Sequence, residues 1–165
     1  MEIEIRTFID RSDCYAYALT QSKALLENET DWTAGLANVS AALKLLIPDI
    51  NWVGFYLMRG AELVLGPFQG KPAVSHIALG SGVCGTAAQS GQAQAVPDVH
   101  ACCNHIACDL ASSSEIVLPI YAQNRLFGLL DIDSPKRSQF TATDIPGLQA
   151  IADAIGRWIT MTGVE

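Results

Sequence analysis

Apolar and small residues recur at helical spacing through residues 10–29, where Tyr15, Ala18, Leu19, Ser22, Leu25 and Leu26 share one side. This spacing predicts a helix behind an Asp10 or Ser12 cap. A second stripe, Trp32, Leu36, Val39, Leu43 and Leu46, predicts a helix that Thr30 or Asp31 opens and Pro48 stops. The pattern then changes. Residues 51–58, NWVGFYLM, are rich in aromatic and β-branched types, and Arg59-Gly60-Ala61 offers a turn into 62–65, so an antiparallel pair is expected. Residues 66–72 read as a glycine- and proline-rich loop, followed by a short strand over 75–79 and a helix over 83–90 opened by Ser81 and Gly82. A weak strand over 93–96 ends at Pro97-Asp98, and residues 99–113 have no period and suit a functional loop.

Residues 114–121 and 126–133, joined at Gln123-Asn124-Arg125, carry the strongest hairpin signal and are expected to be central strands. A last helix is expected from a Thr143 or Asp144 cap, with Pro146 in its first turn and Ile145, Leu148, Ile151, Ala152, Ile155 and Ile159 on one stripe. Helices at both ends with strands between them point to the α+β class: a mostly antiparallel sheet with helices on one side and the other side left for a ligand pocket. The chain of 165 residues is read as a single domain over 1–165, without repeats or linkers.

Composition narrows the function classes. Half the residues are apolar, but the longest apolar runs, such as 41–47 and 116–121, are too short to cross a bilayer. The start MEIEIR has neither the basic beginning nor the apolar run of a secretory signal, so a cytoplasmic protein is expected. A net charge of −7 without clustered Lys or Arg argues against nucleic acid or anionic membranes as partners and suits a cationic or zwitterionic small molecule. Five cysteines, an odd number, do not describe a disulfide framework in a reducing compartment.

Candidate chemistry concentrates in residues 81–115. Cys84 lies in Gly-Val-Cys-Gly at a helix start, where N–H groups and the dipole would favour a thiolate. Cys108 lies in His-Ile-Ala-Cys-Asp on the expected loop. Two such thiols can cycle between dithiol and disulfide if they meet; an inert buried thiol is the other reading of each. The alternation Leu130-Asp131-Ile132-Asp133 puts both aspartates on one strand face, and Glu115 starts the neighbouring expected strand. Three acids there could hold an ammonium, one of them kept protonated by crowding, or could simply end strands at a solvated edge. Trp52 beside Gly54 is either a pocket wall or core.

Zinc is a third reading, because His100, Cys102, Cys103, His105 and Cys108 lie close in sequence. No C-x-x-C pair is present and adjacent cysteines rarely ligate one ion, so no metal is expected. Ser112-Ser113-Ser114 is too weak for a hydrolase triad and reads as a cap or turn.

Taken together, NWVGFY at 51–56, GPFQG at 66–70, GVCGTA at 82–87, PDVH at 97–100, HIACD at 105–109, SEIVLP at 114–119 and LDIDS at 130–134 resemble the free methionine-R-sulfoxide reductases, which are GAF-domain enzymes. The resemblance implies a GAF-like, six-stranded antiparallel sheet flanked by helices and a homodimer. It also implies reduction of free L-methionine R-sulfoxide, with thioredoxin as external reductant and no bound cofactor. By position, Cys108 matches the cysteine that attacks the sulfoxide and Cys84 the one that forms a disulfide with it. Trp52 matches the aromatic contacting the substrate methyl, and Glu115, Asp131 and Asp133 match the carboxylates serving the ammonium and the sulfoxide oxygen. The chain departs from the pattern at Val74, where many members carry a further cysteine. That leaves Cys84 as the leading resolving thiol and Cys102 or Cys103 as possible substitutes. A GAF module that binds a small ligand without chemistry is the rival reading.

Overall fold

The computed structural model describes residues 3–101 and 111–163. Helix α1 (Arg11–Leu26) is opened by Asp10, whose carboxylate accepts from Ser12 N at 2.8 Å. Helix α2 (Trp32–Leu46) is opened by Asp31, which accepts from Ala34 N at 2.9 Å. Strands β1 (Trp52–Arg59) and β2 (Glu62–Gln69) form a hairpin at Gly60, where φ is +62°, and β3 (His76–Ala78) pairs with the start of β2. Helix α3 (Gly82–Ser90), strand β4 (Gln94–Val96) and a 3-10 turn (Val99–Ala101) follow. Strands β5 (Ser114–Ala122) and β6 (Arg125–Ser134) are joined through Gln123 and Asn124. Both have positive φ, which matches the right-handed twist of a tight hairpin. Helix α4 (Ile145–Thr162) completes the described chain.

The six strands run in the order β3-β2-β1-β6-β5-β4, each antiparallel to its neighbours. Alternation along the strands sends Val53, Phe55, Leu57, Ile116, Leu118, Ile120, Leu130 and Ile132 to one face, where α2 and α4 lie against them and α1 packs on those two helices to complete the main core. A smaller apolar cluster fills the other face, with Trp52, Tyr56, Leu63, Ile77, Val117 and Leu129 beneath Val83, Cys84, Ala87 and Ala88 of α3. So the expected one-sided arrangement holds for three helices, while α3 lies on the opposite face.

Two further expectations are corrected. Residues 66–69 are not loop: β2 continues through them because Gly66 and Pro67 form a bulge, two residues against Phe55 alone, before Phe68 pairs with Gly54 and Gln69 with Val53. Proline fits there because β3 pairs only with Glu62–Val64, so this half of β2 is an edge. Second, Asp144 precedes α4 but does not cap it with its side chain. The carboxylate turns back to Thr141 N at 2.8 Å and to the Tyr15 hydroxyl at 2.9 Å, closing a capping box on a preceding 3-10 turn (Ala142–Asp144). Among the described residues no helix is long and apolar enough to cross a membrane.

Candidate functional site

Strand register assembles the acids. Trp52 pairs with Asp133 and Gly54 with Asp131 across β1 and β6, while Glu115 pairs with Asp133 across β5 and β6. All of these residues belong to the face that α3 covers. The alternation of Leu130-Asp131-Ile132-Asp133 therefore separates two environments: leucine and isoleucine enter the main core, and the aspartates meet Trp52, Glu115 and α3.

Helix α3 brings the thiol. Gly85 lets its first turn press on the end of β3, since a Cβ there would fall against the Ala78 carbonyl oxygen, and Gly80 N donates to Gly85 O at 2.8 Å. Cys84 is the third helical residue, and its Sγ stands 3.9 Å from Glu115 Oε1 as a donor. Ser81 supplies no side-chain cap, so the N-terminal N–H groups are not consumed by it.

None of these groups is solvated: Trp52 and Asp131 are 0% exposed, Asp133 1%, Glu115 3% and Cys84 4%. The solvated strand-end reading of the acids is thereby corrected, because α3 and the aromatic residues cover them. Burial pushes the Glu115 carboxyl well above its ordinary range, and the charge of Asp133 pushes it further; hydrogen bonding with Asp131 and Cys84 pulls back less. A carboxyl held in its acid form inside an acid cluster is a proton donor.

An aromatic wall adjoins the acids. The Trp52 ring stacks with Phe68 at 5.3 Å between centroids and with Tyr56 at 6.1 Å. Its Nε1 donates to Lys71 O at 3.1 Å, and the Tyr56 hydroxyl donates to Val74 O at 2.9 Å. Neither Tyr56 nor Phe68 was singled out from the sequence. Tyr56 was findable, being four residues from Trp52 on the same strand face, whereas Phe68 was hidden in the segment read as loop.

Cys102, Cys103, His105 and Cys108 lie outside the described residues. The two ends of their segment are tied together, Val99 N donating to Ser113 O at 2.9 Å and Ser113 N to Ser134 O at 2.7 Å, one residue from Asp133. The serine run is thus neither a helix cap nor a free turn. Ser112 is buried and accepts from Asn51 Nδ2 at 3.1 Å, and Ser114, the first residue of β5, donates to Lys136 O at 2.7 Å. His100 is exposed on the 3-10 turn. Cys14 is a core thiol whose Sγ donates to Leu46 O at 3.4 Å and whose pKa burial raises. Among the described residues, Cys84, Glu115 and Asp131 have donor atoms within 4.8 Å of one another, close enough to share an ion.

Comparison with known proteins places this geometry. The GAF domain family model matches residues 22–159. The free methionine-R-sulfoxide reductase of Escherichia coli is 46% identical over 154 residues, 93% of each chain. Its namesake in Saccharomyces cerevisiae is 38% identical over 157 residues, 90% of this chain and 87% of that protein. The X-ray structure of free methionine-R-sulfoxide reductase from Neisseria meningitidis in complex with its substrate superposes with a TM-score of 0.92 at 39% identity, covering 99% of both chains. With its six-stranded antiparallel sheet and this extent of similarity, the chain belongs to the GAF-domain family and, within it, to the free methionine-R-sulfoxide reductases.

Proposed function

We propose that this protein reduces free L-methionine R-sulfoxide to L-methionine. What supports the reading is the convergence of Trp52, Cys84, Glu115, Asp131 and Asp133 on one buried face, in a chain 46% identical to a reductase of that name. Asp131 and Asp133 hold the substrate ammonium by charge-assisted hydrogen bonds, and Trp52 meets the S-methyl group. Glu115, kept in its acid form by burial, donates to the sulfoxide oxygen.

The nucleophile is Cys108, assigned through the HIACD motif. Its thiolate attacks the sulfoxide sulfur, the S–O bond breaks as the oxygen passes to cysteine, and methionine leaves beside a sulfenic acid. The Cys84 thiol condenses with that sulfenic acid, forming a disulfide and water. Thioredoxin then reopens the disulfide by exchange and leaves as its own disulfide. All electrons come from thiols, so the cycle calls for no bound cofactor. Cys102 or Cys103 is the substitute resolving thiol if Cys84 does not serve. The reading puts the protein in the cytoplasm, where thiols are kept reduced, and as a homodimer.

Incubation with free L-methionine R-sulfoxide, thioredoxin, its reductase and NADPH, with methionine quantified, is the test. Sustained methionine release is expected, with dimethyl sulfoxide and peptide-embedded methionine sulfoxide left unreduced because neither presents an ammonium to the acids. Binding of the sulfoxide without product would instead leave a non-catalytic ligand sensor.

A further inference from the structure

The continuation of β2 beyond its bulge places Phe68 directly opposite Gly54, and both touch the Trp52 indole. The indole leans over Gly54: a Cβ there would stand 2.7 Å from Trp52 Cη2 and would overlap the Phe68 Cβ. The Phe68 ring stacks on the indole with only 15° between planes. At the other end Gly70, with φ at +145°, clears the ring, since a Cβ there would collide with Trp52 Cδ1 and stand 3.0 Å from Cγ. The single polar atom of the indole is fixed by Lys71 O. Ring plane, both ends and the N–H direction are therefore all set with the help of residues 68–71, across the hairpin from the strand that carries Trp52.

We propose that Phe68, delivered by the bulge at Gly66 and Pro67, is a positioning residue that sets which S-alkyl groups the site admits by fixing the tilt of Trp52. The inference rests on the reading that Trp52 meets the substrate methyl. Trp52 and Gly54 pair with Asp133 and Asp131, so the indole and the carboxylates that anchor the ammonium share one register. With the ammonium fixed and the amino-acid chain of constant length, the room left for the S-alkyl group depends on where the indole stops. A flat ring stacked behind it resists tilting, whereas a flexible or branched aliphatic side chain of similar bulk does not.

The test compares kcat/KM for the R-sulfoxides of free methionine and free ethionine, which differ by one methylene on sulfur, in the wild type, Phe68→Leu, Phe68→Met and Phe68→Tyr. The wild type is expected to favour the methyl substrate by roughly tenfold or more, the usual worth of a methylene in a fitted apolar pocket. Phe68→Leu and Phe68→Met are expected to lower that ratio by at least about threefold, with methionine sulfoxide losing more of its kcat/KM than ethionine sulfoxide. Phe68→Tyr is expected to keep the wild-type ratio. An unchanged ratio in whichever aliphatic variant folds would overturn the assignment, and so would an equal loss of activity on both substrates. Failure of the wild type to reduce either sulfoxide would overturn the proposed function itself, an outcome distinct from both.

Discussion

The thiol of Cys84 points at the carboxyl of Glu115 across 3.9 Å, inside a fold that leaves each of them no more than 4% exposed. Glu115 does not gain from ionising in such surroundings: burial first, and the Asp133 charge second, hold its carboxyl well above the ordinary value of 4.5. In the proposed cycle this pairing sets the proton donor of the first chemical step beside the thiol of the second.

The raised pKa of Glu115 gives a signed pH dependence. Above pH 4.5 the unfolded chain has released the Glu115 proton while the folded protein retains it, so the folded state binds more protons and loses stability as pH rises. The contribution is complete below 4.5 and is lost as pH climbs through the elevated folded value. One such group gives a slope of at most about 1.4 kcal/mol per pH unit. Glu115→Gln, which mimics the acid form, is expected to match wild type in acid and to exceed it in stability above about pH 6, as read by urea unfolding at a series of pH values. The same variant should lose about a hundredfold or more in kcat, the worth of a positioned general acid.

Cys84→Ser separates the two halves of the thiol cycle. Under single-turnover conditions it should still release about one methionine per subunit, and it should then fail to recycle with thioredoxin. Mass spectrometry of the oxidised wild type should find Cys84 linked to Cys108, while unimpaired turnover of the variant would move the resolving role to Cys102 or Cys103.

Much of this architecture was legible because several signals agreed locally. The stripes of α2 and α4 face the main core, and the β5–β6 turn carries Asn124, a residue type that tolerates positive φ. The acid alternation was legible for the same reason: a period of two allows no other placement on a strand. What stayed hidden depended on tertiary contact. Gly66 and Pro67 carry loop chemistry whether they end a strand or bulge it, and only the pairing of Phe68 with Gly54 decides between the two. Helix α3 is too short and too uniformly small for its pattern to name the face it covers. The side chain of Asp144 was drawn away from its helix by Tyr15, a residue 129 positions distant.

That long-range contact has a measurable worth. Asp144 accepts from the Tyr15 hydroxyl and from Thr141 N and lies 3.1 Å from the Arg11 guanidinium, which also reaches Gln139 O. Burial raises the Tyr15 hydroxyl above its ordinary range, so it remains a donor throughout the neutral range. Tyr15→Phe is expected to cost about 1.5–3 kcal/mol, as for a hydrogen bond to a charged acceptor, and Asp144→Ala more, because it strands the donors of Tyr15 and Thr141 together. Urea unfolding checks the loss. Turnover per folded molecule should be unchanged, since this network lies among the helices on the face of the sheet away from Cys84 and Glu115.

Gly156 in α4 sets two effects against each other. By helix propensity, Gly156→Ala should stabilise by about 1 kcal/mol, because glycine is the poorer helix former. Yet an added Cβ would fall well inside contact with the Tyr121 carbonyl oxygen and stand 3.1 Å from its carbon. Tyr121 belongs to β5, the strand on which α4 lies, so the obstacle is backbone and has no rotamer to change. The helix would have to lift from the sheet and loosen Ile151, Ile155 and Ile159, all of which are buried there. Overpacking of this kind costs about 1–3 kcal/mol even where side chains can yield. The expected result is a net loss of about 2 kcal/mol or more, seen as a lower urea midpoint with an unchanged m-value. A variant as stable as wild type would mean that α4 tolerates a wider spacing from β5, with the propensity gain then free to appear.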